Sequence, residues 1–218
     1  MADGTERSGQ VVATIVETLR QEIISGKLNP DEPLGQEQLA TRFGVSRMPV
    51  REAIRQLETL GFVTVEPNKS ARVAPVSLAD FLEIYDMRIA AECLAMKSAI
   101  PELTNTRIDE AEAIQDQIEA APIGAFGDLN IQFHMTLYRA SGRHRLLAHV
   151  QALGNAADRY QCMTVAGPEI RRKSDLEHRA ILEHCRQRDS DAAVAMVAQH
   201  ISDARDHLSG LIGDLEDR

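Results

Sequence analysis

Residues 39–65, LATRFGVSRMPVREAIRQLETLGFVTV, constrain the fold more than any other part of the chain. A short helix closes at Gly44, and Ser46 stands where it can cap a second helix that runs to about Gly61. Pro49 falls in the first turn, where its missing N–H costs nothing. Gly61 follows the last apolar turn, as a left-handed terminal residue does. Val50, Ala53, Ile54 and Leu57 line one side of this helix, and Arg47, Arg51 and Arg55, four residues apart, line the other. Residues 62–65 are rich in β-branched side chains, and 67–70 read as a turn before a second short strand at 71–74. Upstream, Val12, Ile15, Val16, Leu19 and Ile23 form the apolar stripe of a first helix ending near Gly26. Three helices and a two-stranded wing make a winged helix-turn-helix, the arrangement that lays its second motif helix in a DNA major groove.

Three guanidiniums in a row suit phosphate pairing and two-pronged reading of guanine. The same spacing describes an ordinary solvated face; the turn, cap and wing together favour DNA. A hairpin with Lys69 and Arg72 at its tip can press on phosphates or enter the minor groove. The chain as a whole has a net charge of −9. Residues 1–76 account for −1 of it and 77–218 for −8, while 40–75 hold six basic and three acidic residues. The acidic balance therefore belongs to the second part. So modest a local charge predicts affinity that needs two recognition helices and falls with salt, hence a homodimer on a pseudo-palindromic double-stranded operator.

A chain of 218 residues accommodates two domains of ordinary size. The division expected is a disordered tail over 1–9, the winged domain over 10–76 and an all-helical part over 77–218. No apolar run is long enough to span a bilayer, and no secretion signal opens the chain. Cys93, Cys162 and Cys185 are odd in number and scattered, as in a reducing, cytoplasmic compartment. Beyond Ser77, which with Asp80 opens a helix, the strand signals stop. Helices are expected at about 77–100, 104–121, 128–141, 144–164, 174–188 and 190–211. Pro122, Gly124, Gly127, Gly142 and the Gly167-Pro168 pair mark breaks, and Ser174 with Glu177 forms a capping box for the fifth. Short loops make neighbours antiparallel, so the fold class is mostly α: a winged helix-turn-helix followed by an all-α antiparallel bundle of six.

Within that bundle Asn130 and His134 lie four residues apart and point the same way, and His178 and His200 follow on the last two helices. Three neutral imidazoles and an amide oxygen suit zinc, nickel or a similar divalent ion. Histidines satisfied within the core or at the surface are the other reading of that spacing.

The pattern VSRMPVREAI, preceded by Leu39-Ala40 and followed by Leu57 and Gly61, resembles the GntR family of bacterial transcription regulators over about 11–75. The resemblance implies DNA contacts by Arg47 and Arg51, with Ser46 and Met48 near phosphates or base edges. Pro30-Asp31 stands where proline-glycine is usual, and Ser70 replaces the wing glycine. The helical half, from about 78 to 212, resembles the FCD ligand-binding domain of the FadR subfamily, on the segments NIQFH, LEHRAI and AQHI. That resemblance implies a divalent metal on His134, His178 and His200, with Asn130 in the place of an aspartate, and a small carboxylate effector held beside it. The exchange keeps an oxygen donor and removes a charge.

Arg88, in EIYDMRIAAE, matches the family's first-helix arginine with Glu92 four residues on. It either grips a carboxylate inside the bundle or pairs with Glu92 on the helix surface. Tyr85 and Tyr160 are candidate pocket hydroxyls or plain core residues. The function expected is a ligand-responsive regulator, a repressor released by a small organic acid, and not an enzyme. Three alternatives stand beside it: a metal-dependent hydrolase, which would lack a carboxylate base because Asn130 cannot act as one, a sensor of the metal itself, and a regulator with a metal-free acyl ligand.

Overall fold

The computed structural model describes residues 3–65, 70–121, 126–163 and 168–216. Contacts divide the chain into Met1–Val76 and Ser77–Arg218. No helix among the described residues is long and apolar enough to cross a membrane.

The first unit contains helices α1 (Asp3–Ile24), α2 (Gln36–Phe43) and α3 (Arg47–Thr59) and strands β1 (Val63–Thr64) and β2 (Arg72–Val73). Val12, Ile15, Leu19 and Ile23 of α1 pack beside Val50, Ala53, Ile54 and Leu57 of α3, all buried. Gly44 ends α2 in the left-handed conformation, and its N–H bonds back to Thr41. Gly61 also has a positive φ, 77°. β1 and β2 pair antiparallel, Val63 with Val73 and Thr64 with Arg72. The loop before α2 joins them: Asp31 and Leu34 donate to the carbonyls of Val73 and Ala71, and Val73 donates to Glu32. Asp31 has φ 63°, the left-handed region that the glycine of a proline-glycine turn would occupy. The departure at this position therefore keeps the backbone geometry. Glu22 ties the layers together: it is buried and accepts from both guanidinium nitrogens of Arg42 and from Lys27.

Three expectations change here. Residues 1–9 were expected as a disordered tail, but α1 extends back to Asp3, because adding turns to a nucleated helix costs little. Ser46 occupies the N-cap position of α3, yet its side chain makes no capping hydrogen bond. Arg72 is not at the hairpin tip; it lies within β2, and its guanidinium donates to the Asp31 carbonyl at 2.7 Å. Lys69 lies outside the described residues, as do Pro67 and Asn68 of the expected turn.

The second unit is a bundle of α4 (Leu78–Ala99), α5 (Asn105–Ala120), α6 (Phe126–Tyr138), α7 (His144–Met163), α8 (Pro168–Gln187) and α9 (Ser190–Glu216), with 3-10 turns at Ile100–Glu102 and Arg139–Ser141. Ser77 caps α4 by accepting from the N–H of Asp80, and Thr104 caps α5 from Arg107. Cross-links set the direction of α8 against α5: Arg171 reaches the carbonyls of Ile118 and Ala121, Arg179 reaches Asp116, and Arg186 reaches Glu112. The two helices are therefore antiparallel. α9 likewise runs against α4, with Glu216 at the N–H of Leu78 and Arg205 on Asp86. Aromatics are few, and Phe81, Tyr85, Phe133, Tyr138 and Tyr160 are all fully buried.

Ser174 was expected to open the fifth helix of the bundle. Instead α8 starts at Pro168, a residue as well suited to the first turn of a helix as to closing the one before, and Ser174 lies inside it. Gly127, read as a break, is within the first turn of α6, where a Cβ would stand 1.7 Å from Oδ1 of Asp158. Pro122, Gly124 and Gly167 lie outside the described residues, as does the side chain of Cys162.

Candidate metal centre and nucleic-acid interface

In the first unit, the apolar side of α3 is spent on the core, which leaves Arg47, Met48, Arg51 and Arg55 on its open side. Met48 is 70% exposed, a large apolar side chain with no fold role. Arg47 pairs with Glu37 of α2 at 2.8 Å, and Arg55 lies 3.8 Å from Glu52. These are exposed contacts worth little, so DNA phosphates can displace them. Ser46, uncommitted to its own helix, adds an exposed hydroxyl at the start of the same face.

In the second unit, His134 of α6, His178 of α8 and His200 of α9 are buried and offer ligand atoms within 4.8 Å of one another. Their ring centroids are 4.7 to 5.2 Å apart. Each Nδ1 is turned to its own acceptor. His178 Nδ1 donates to Oε1 of Gln115 at 2.7 Å, and the Gln115 amide is oriented by giving its Nε2 protons to Glu119 and Asp175. His200 Nδ1 donates to the Glu177 carboxylate at 2.7 Å. His134 Nδ1 lies 3.4 Å from the Tyr138 hydroxyl, which itself donates to Glu92 at 3.0 Å. All three Nε2 atoms are thereby left as lone pairs facing the same point.

Nε2 of His134 is buried without a hydrogen-bond partner, and so is Oδ1 of Asn130 one turn earlier. Buried polar atoms rarely stay unpaired, and two such atoms beside three clustered imidazoles suit a divalent cation. Burial, the neighbouring histidines and Arg88 or Arg179 hold His134 and His178 well below the ordinary imidazole range, so both are neutral and able to ligate. The residues fit a metal.

Arg88 is buried, not on the surface. Its Nε donates to Glu92 at 2.8 Å, and its guanidinium lies over the Tyr85 ring at 4.9 Å. Burial opposes its charge, but Glu92 and the tyrosines more than offset that and raise its pKa. The pair with Glu92 expected on the helix surface therefore exists, but it lies inside the bundle. The chain Arg88–Glu92–Tyr138–His134 joins it to the histidines. Tyr85 accepts from Gln161, and Tyr160 donates to Asp80 at 2.7 Å. Both tyrosines pack on Phe81, at 4.5 and 5.3 Å between centroids, as core residues do.

Sequence reasoning missed Gln115 and Tyr138, saw Glu92 only as a partner of Arg88, and took Glu177 for a cap partner. Tyr138 is four residues beyond His134, a signal of the kind that linked Asn130 to His134. Gln115 carried no such signal.

The description "Bacterial regulatory proteins, gntR family" matches residues 12–73, and the FCD domain matches 83–203. The chain belongs to the GntR family. Within this family it is 30% identical over 202 residues to the HTH-type transcriptional regulator YdhC of Bacillus subtilis (strain 168), covering 89% of each chain. It is 27% identical to the HTH-type transcriptional repressor RspR of Escherichia coli (strain K12), over 87% of this chain and 85% of that one. A GntR family transcriptional regulator from Pseudomonas syringae pv. tomato str. DC3000 shares 31% identity and a TM-score of 0.58, covering 95% of this chain and 88% of the other. This GntR protein is a DNA-binding transcription regulator with an FCD effector-binding domain, and its relatives are regulators rather than enzymes.

Proposed function

We propose that the protein is a homodimeric repressor whose bundle holds a divalent ion, zinc or nickel, and which releases a pseudo-palindromic operator when a small carboxylate binds beside that ion. The observation that carries this reading is the convergence of His134, His178 and His200, each with its other nitrogen already engaged and Asn130 Oδ1 alongside. The ion would supply an electropositive anchor for a carboxylate oxygen. Arg88, charged and buried one helical turn from Glu92, supplies a second anchor of fixed orientation.

DNA would be held by Arg47, Arg51 and Arg55, with Ser46 and Met48 at the start of the same helix. A local excess of only three basic residues over 40–75 favours two copies acting together. Repression is supported by relatives described as repressors, RspR and GlaR of Escherichia coli (strain K12) among them. Operator binding implies work in the cytoplasm. For the acid to release DNA it must bind one arrangement of the dimer better than the other.

Elemental analysis of protein purified without chelator, beside the double variant H134A/H178A, tests the centre. Close to one equivalent of zinc or nickel per chain, lost in the variant, is expected. No metal in either protein, even after supplementation, rejects it and leaves a metal-free acyl ligand as the reading to pursue.

A further inference from the structure

The donor set has an unusual charge. Among the described residues the cluster contains three histidines and no carboxylate. The two acidic groups beside it face elsewhere: Glu177 is turned to Nδ1 of His200, and Glu92 divides its oxygens between Arg88 and Tyr138. The fourth candidate ligand, Asn130, is 5% exposed and presents a neutral oxygen with no partner. Three neutral imidazoles and an amide around a divalent ion leave both its charges without an anionic ligand, inside a bundle where a bare charge is costly. The guanidinium of Arg88 adds a cation nearby, already paired with Glu92.

We infer that this centre is completed by its effector: Asn130 leaves the ion one negative ligand short, so ion and carboxylate bind with positive coupling, each raising the affinity of the other. The inference rests on the metal reading above and goes beyond it, because a site with its own anionic ligand would hold the ion whether or not an acid were present. Coupling is reciprocal by linkage. The regulator would then respond to acid and metal as a pair, binding each less tightly alone than with the other. Any carboxylate small enough to reach the ion provides the missing charge, so acetate can serve as the probe.

The test is a zinc titration of the full-length protein against a chromophoric zinc indicator, which reports free zinc directly. It is run with sodium acetate at about 0.1 M and with perchlorate at equal ionic strength. H134A/H178A sets the background. Acetate is expected to tighten zinc binding by about tenfold or more in the wild type. Asn130→Asp is expected to bind zinc more tightly than wild type in perchlorate and to gain less from acetate. Zinc bound above background with the same affinity in both salts overturns the inference and leaves the metal site standing. An equal gain in wild type and Asn130→Asp overturns the role of Asn130. Zinc bound no better than by H134A/H178A in either salt overturns both readings.

Discussion

Nε2 of His178 and Nε2 of His200 face each other across 3.3 Å, while Nδ1 of the first lies on Gln115 and Nδ1 of the second on Glu177. A cation seated beside the pair would take both nitrogens as ligands. Glu177 is the group that fixes the His200 tautomer. Glu177→Gln keeps an acceptor for Nδ1 but removes the charge that makes the ring a stronger base. Zinc affinity should fall by about tenfold or more, with the fold intact by circular dichroism. An unchanged affinity would show that the Glu177 charge does not strengthen His200 as a ligand.

Arg51 and Arg55 should behave differently on DNA. Arg51, in the middle of the open face of α3, is placed to read a base, and Arg51→Ala should cost about 1–3 kcal/mol on the operator and relax its specificity. Arg55, one turn on, should act on phosphate: Arg55→Ala weakens all sequences alike and lowers the salt slope by about 1. Anisotropy titrations on operator and scrambled duplexes across a salt series separate the two. Wild-type discrimination in Arg51→Ala would remove this helix from base reading.

Glu22 makes the first unit sensitive to acid. The hydrogen bonds from Arg42, then Lys27, hold its carboxyl at about 2 against an ordinary 4.5, in spite of burial. A lowered folded-state value means a contribution fully present above the unfolded value and lost as pH falls through the folded one. Glu22→Gln should therefore cost about 2 kcal/mol at neutral pH, and the gap to wild type should close as pH drops from 4.5 towards 2. Urea unfolding followed over that range measures it; a gap independent of pH would assign the loss to packing.

Ser174 has a buried hydroxyl without a partner. Thr14, Thr18, Thr41, Thr59 and Ser98 all bond back to the carbonyl four residues earlier, and Ser174 does not. Ser174→Ala should stabilise the ligand-free protein by about 1 kcal/mol, since an unsatisfied buried group is removed without opening a cavity. A lower melting temperature in thermal unfolding would show that the hydroxyl has a bond to lose.

Local rules carried the parts of the fold that depend on neighbours in sequence. The apolar and basic sides of α3, the left-handed Gly44 and Gly61, and the helical run of residues from Ser77 onward all follow from spacing within a few turns. The errors come from signals with two meanings. Pro168 serves as a first-turn residue where it read as a terminator, and Ser174 with Glu177 satisfies the capping pattern while lying mid-helix. At the candidate centre, the histidines could be picked from spacing and resemblance, but the groups that fix their protons could not. Gln115 reaches His178 across 63 residues, and Glu92 reaches Tyr138 across 46. Only the packing of α5 and α4 against their neighbours brings those pairs together.

Tyr85, Tyr138 and Tyr160 are the three tyrosines of the chain, there is no tryptophan, and all three phenols are buried in the second unit. The tyrosine emission of this protein therefore comes entirely from the effector-binding half. Tyr138, held between Glu92 and His134, is a built-in optical probe of the centre, and the DNA-binding half is silent in the same spectrum.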